Sequence, residues 1–78
     1  MYYYYSLKFT HPIDSTEREY CFEPLLYGGA YFAIYTDGEL SIKKQKIDEP
    51  YLKDSMRYVE MWLEKKGITE KFKKVNIK

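Results

Sequence analysis

The sequence predicts one small α+β domain: an antiparallel sheet of three to four strands, a C-terminal helix packed on one face, and a short final edge strand. Three observations carry this. The first ten residues alternate with a strand period, residues 30–46 hold an Asp-Gly turn signal between two apolar runs, and residues 48–68 set helix start and stop signals around a 3.6-residue apolar repeat. At 78 residues there is room for one core only, so the domain spans residues 1–78.

From Tyr2 to Thr10, Tyr3, Tyr5, Leu7 and Phe9 fall on one side and Tyr2, Tyr4, Ser6, Lys8 and Thr10 on the other. The first set is the more apolar and is expected to face the core. His11-Pro12 through Ser15 ends the pattern. Residues 16–27 read two ways. Thr16 with Glu19 has the spacing of a helix capping box, whereas Tyr20 and Phe22 alternate with Glu19, Cys21 and Glu23 as in a strand. Pro24 favours the strand, because it would break a helix after about two turns yet is tolerated at a strand end.

Gly28-Gly29 permits a turn into a hairpin formed by Ala30–Thr36, Asp37-Gly38 and Glu39–Lys46. A two-residue turn would split its apolar residues between the faces. A three-residue turn with Gly38 in a left-handed bulge would pair Tyr35 with Glu39 and keep Phe32, Ile34, Leu40 and Ile42 together, so that register is expected. The helix opens at Asp48 as N-cap, with Glu49 and Pro50 in its first turn. Leu52, Met56, Val59 and Leu63 form its core seam, and Tyr51, Ser55, Tyr58 and Trp62 run beside it. Lys65 and Lys66 complement the helix dipole, Gly67 supplies the left-handed stop, and Ile68 folds back on Leu63. In the lysine-rich end, Val75 and Ile77 alternate as in a short edge strand. The expected core is Phe9, Phe22, Phe32, Ile34, Leu40, Ile42, Met56, Val59 and Leu63.

Composition narrows the function classes. The single Cys21 allows no internal disulfide, and a free thiol without a signal-peptide pattern points to the cytoplasm. The densest apolar segment, Leu25–Tyr35, is interrupted by Gly28 and Gly29, so no membrane span is expected. Net charge is +1, yet residues 1–40 carry −4 and residues 41–78 carry +5.

No catalytic, metal or cofactor site is expected. His11 and Cys21 have no third residue at a spacing that orients them as a nucleophile and base. Asp48 is explained as a cap, and Glu17, Glu19 and Glu23 as the solvated side of a strand rather than cation ligands. Gly28-Gly29 precedes a strand, not a helix, and so does not cradle phosphate.

What remains is surplus aromatic surface. The chain has ten tyrosines, four of them consecutive at Tyr2, Tyr3, Tyr4 and Tyr5. One helix covers one sheet face, leaving Tyr2, Tyr4, Tyr31 and Tyr35 on the other, with Glu39, Ser41 and Lys43 beside them. Tyrosine gives large contact area with a polar tip and little rotamer entropy to lose, so this face is expected to bind a protein partner, with a basic nucleic-acid-processing enzyme suited to its acidic residues. Two other uses stand beside that one. Single-stranded nucleic acid could stack on the tyrosines beside Lys43, Lys44 and Lys46 or Lys71, Lys73, Lys74 and Lys78, and a homodimer mate could cover the face.

In size, single domain and lack of motifs the chain resembles the small orphan proteins of phages and mobile elements, including anti-CRISPR inhibitors. The resemblance is of class and carries no shared motif; it implies a non-catalytic inhibitor of a host defence enzyme.

Overall fold

The structure, a computed structural model, describes residues 2–77. Six strands and one helix follow in the order β1 (Tyr2–Thr10), β2 (Glu17–Pro24), β3 (Ala30–Thr36), β4 (Glu39–Leu40), β5 (Gln45–Ile47), α1 (Glu49–Glu64) and β6 (Lys73–Ile77). All pairings are antiparallel, and the sheet runs β4-β3-β2-β1-β6 with β5 also on β3. The α+β class holds, with more strands than the three to four expected. Residues 16–27 are mainly strand, and the lysine-rich end adds β6 beside β1.

The extra strand arises where Glu39–Lys46 was expected to run unbroken. β4 pairs with the Tyr35–Thr36 end of β3 and β5 with its Ala30–Phe32 end, so the intervening residues leave the ladder. The hairpin register also differs from expectation: Thr36 pairs with Glu39 and Tyr35 with Leu40. Asp37 and Gly38 both have positive φ, 49° and 85°, the signature of a two-residue type I′ turn, whose twist matches that of the flanking strands. Asp37 is held there by two bonds to the start of β2. Its N–H donates to the Glu17 carbonyl at 2.8 Å, and its carboxylate accepts the Glu17 N–H at 2.9 Å. These two long-range bonds fix the turn in the register that divides the apolar residues between the two faces. Leu40 therefore lies on the face opposite the helix and is 48% exposed, and half-buried Ile42 belongs to neither core cluster.

The core lies between α1 and one sheet face. Leu7, Phe9, Tyr20, Leu63 and Ile68 form one cluster; Phe22, Ala30 and Leu52 form another, with Phe32 and Val59 packed against both. Leu7, Leu52 and Ile68 are buried as their strand, seam and closure positions predict, Tyr20 and Ala30 join them, and Leu40 and Ile42, expected in the core, do not. The helix C-terminus closes as a Schellman motif: the Ile68 N–H reaches the Leu63 carbonyl and the Gly67 N–H the Glu64 carbonyl, both at 3.0 Å. Gly67, at φ 85°, makes the reversal. At the other end Asp48 occupies the N-cap position without a side-chain cap bond. Glu49 instead accepts the Gly29 N–H at 2.8 Å and ties the helix start to the β2–β3 turn. Phe72, just before β6, meets Phe22 edge to face at 5.3 Å while its N–H donates to Glu60 at 2.8 Å. Among the described residues no helix is long and apolar enough to cross a membrane.

Candidate functional site

The face opposite α1 is built on a row of small side chains. Ser6, Cys21 and Ala33 lie side by side across the three central strands, and all three are buried although no helix covers them. Alternation explains this. Larger neighbours on the same face, Tyr4 on β1, Glu19 and Glu23 flanking Cys21 on β2, and Tyr35 on β3, stand around this low row. The result is a hollow of about 420 Å³ whose walls include Tyr2, Tyr4, Tyr35, Glu19, Glu23 and Ile77, with Cys21 at its base.

The carboxylates are held in place by hydrogen bonds. The Ser6 hydroxyl donates to Glu19 Oε2 at 2.5 Å. Glu23 is shared: Tyr35 donates its hydroxyl to Oε2 at 3.1 Å, and Lys44 Nζ, reaching in from the β4–β5 connection, lies 2.8 Å from Oε1. Burial, followed by the nearby Glu23 charge, raises the Tyr35 phenol above its ordinary pKa, and the hydrogen bond to Glu23 raises the Lys44 ammonium. Burial, reinforced by Glu19 and Glu23, pushes the Cys21 thiol up to about 12. A thiol so held stays protonated at neutral pH and is a poor nucleophile. His11 is engaged in its own loop, where Nδ1 accepts the Ile13 N–H at 3.2 Å.

No family model, curated protein or solved structure matches the chain. Its site must therefore be read from its own residues.

Of the expected site residues, Tyr2, Tyr4 and Tyr35 come together around the hollow. Tyr31 is exposed on the same face, paired between Glu23 and Lys46, and stands beside the hollow rather than in its wall. Glu39 does not join them. Its pairing with Thr36 puts it on the helix side, because the type I′ register shifts every residue of β4 to the face opposite the one expected. Lys43 is exposed in the β4–β5 connection, outside the ladders. The expected site left out Glu19 and Glu23, read as the solvated side of a strand, Cys21, weighed only as a nucleophile, and Lys44, weighed only in a basic cluster; the first three line the hollow and Lys44 pairs with Glu23. The available signal was the alternation of small with large residues at the centres of adjoining strands.

Proposed function

We propose that the protein is a non-catalytic binding module whose open sheet face docks on a protein partner and receives one of its basic side chains. The observation that carries this reading is the hollow itself: tyrosine walls from two strands, with Cys21 at the base between Glu19 and Glu23. An arginine or lysine entering it meets aromatic faces and carboxylates together. A cation on a tyrosine ring is worth roughly 0.5–1 kcal/mol when exposed and about 2 when desolvated. The chain's own Lys44, bound to Glu23, is an alkylammonium already accommodated at the rim. A lysine- and arginine-lined nucleic-acid-processing enzyme is a partner of suitable chemistry, and occupation of its groove by this face would inhibit it.

The two carboxylates weigh against phosphate, so a nucleic-acid role is the weaker reading of the same face. The test is a quantitative pull-down comparing the native chain with a Tyr4→Ala/Tyr35→Ala variant of unchanged circular dichroism. Loss of specific partners with the variant supports the reading; recovery of the same partners with both ends it. Saturable, salt-sensitive binding of a labelled single-stranded oligonucleotide, abolished by the same substitutions, would replace it with the nucleic-acid role.

A further inference from the structure

The helix carries a second open surface, on the side of the molecule away from the hollow. The flank of α1 toward β1 and β6 is charged, with Glu60 and Glu64 engaged by the Phe72 N–H and by Lys71. The other flank is aromatic: Tyr51, Tyr58 and Trp62 are 62%, 69% and 42% exposed, with Met61 beside them and Lys66 Nζ 4.6 Å from the centre of the Trp62 ring. Its Tyr51 and Tyr58 overhang a groove of about 570 Å³ lined by Phe22, Phe32, Ile47 and Val59, with Gln45, Asp54 and Ser55 also in the lining. Solvated helix flanks do not ordinarily collect three large aromatics, two of them at the mouth of such a groove.

We propose that the chain self-associates as a two-fold dimer through this flank, with the two helices antiparallel and Asp54 of each copy against Lys65 of the other. Ridge and groove lie side by side on one copy, the arrangement a two-fold axis can make self-complementary. Charge fixes the direction. Asp54 stands near the start of the stripe and Lys65 just past its end, both exposed, and neither makes an ion pair among the described residues. Parallel helices would set like charges together, whereas antiparallel ones make two opposite-charge pairs. The same alignment brings Tyr58 of one copy against Met61 of the other, since these residues follow Asp54 and precede Lys65 by equal steps, giving a thioether–aromatic contact. The three exposed aromatics alone offer on the order of 350 Å² per copy, approaching half of the roughly 800 Å² per partner of a stable interface.

Sedimentation velocity of the full chain across a wide concentration range tests this. A reversible dimer is expected, reduced to monomer by Tyr58→Glu, an exposed substitution that leaves the helix and its melting temperature intact. Asp54→Lys and Lys65→Asp are each expected to weaken the dimer about tenfold, and the double reversal to restore it. A monomer at every concentration overturns the proposal. So does a dimer that survives Tyr58→Glu, one lost instead with Tyr4→Ala/Tyr35→Ala, or one in which the double reversal gives no recovery.

Discussion

The Tyr35 hydroxyl donates to Glu23 Oε2 while Lys44 holds the other oxygen of the same carboxylate, so three segments meet at one side chain on the open face. Tyr35→Phe removes a part-buried bond to a charged group and keeps the ring. It is expected to cost about 1 kcal/mol and to lower the melting temperature by roughly 4–8 °C, read by thermal denaturation. Lys44→Gln is expected to cost less, because that pair is largely solvated. In an alkaline ultraviolet titration of the native chain, Tyr35→Phe should remove a phenol that ionises above the ordinary range.

Cys21 sets a pH dependence of definite sign. Its folded pKa, pushed up to about 12, exceeds the ordinary thiol value of 9.0, so between these values the folded state holds a proton that the unfolded state has lost. The stability linked to this proton is fully present below about pH 9 and disappears as pH rises toward 12. Urea denaturation at stepped pH should show this decline, with a shallower slope in Cys21→Ala. Consistent with burial, a thiol reagent at pH 8 should modify the native protein far more slowly than the denatured chain; equal rates would refute the buried, protonated thiol.

The helix, its Schellman closure at Gly67 and Ile68, and the inward placing of Leu7 and Phe9, with Tyr5 packed on the core, were legible because each depends on local spacing alone; Tyr3 joins neither core cluster and lines the hollow instead. The hairpin was less so. Its two registers differ by which face receives Leu40, and the deciding bonds run from Asp37 to Glu17, a residue distant in sequence. The hollow was obscured for a related reason: Ser6, Cys21 and Ala33 become one low row, with Cys21 at the base of the hollow, only when three strands align, and small residues contribute little to an apolar pattern. The aromatic seam of α1 was visible as periodicity, but its exposure depends on how far the sheet extends beneath it.

Gly29 and Gly38 both have positive φ but differ in what surrounds them. A Cβ on Gly29 would lie 2.6 Å from the Ile47 carbonyl oxygen, with Asp48 and Glu49 backbone close behind, whereas one on Gly38 would meet nothing within 4 Å. Gly38→Ala therefore carries only the left-handed backbone penalty, about 1–2 kcal/mol. Gly29→Ala adds a backbone clash where β5 and the start of α1 pass the β2–β3 turn, and is expected to cost clearly more. Chemical denaturation of the two variants should rank them in that order. Equal losses would mean that the contact between Gly29 and Ile47 is not close in solution.

The hairpin register can be tested through Leu40. Opposite Tyr35 on the open face and 48% exposed, it has little burial to lose, so Leu40→Ser is expected to change stability by less than about 1 kcal/mol. The bulged register would instead bury Leu40 beside Ile34 under the helix, where such a substitution costs roughly 2–5 kcal/mol. Leu63→Ala, which empties a fully buried position, supplies the reference for a loss of that size. Because Leu40 shares the open face with Tyr35, the type I′ register further predicts that Leu40→Ser weakens partner capture while leaving the melting temperature nearly unchanged. A large loss of stability would put Leu40 in the core and return Glu39 to the tyrosine face.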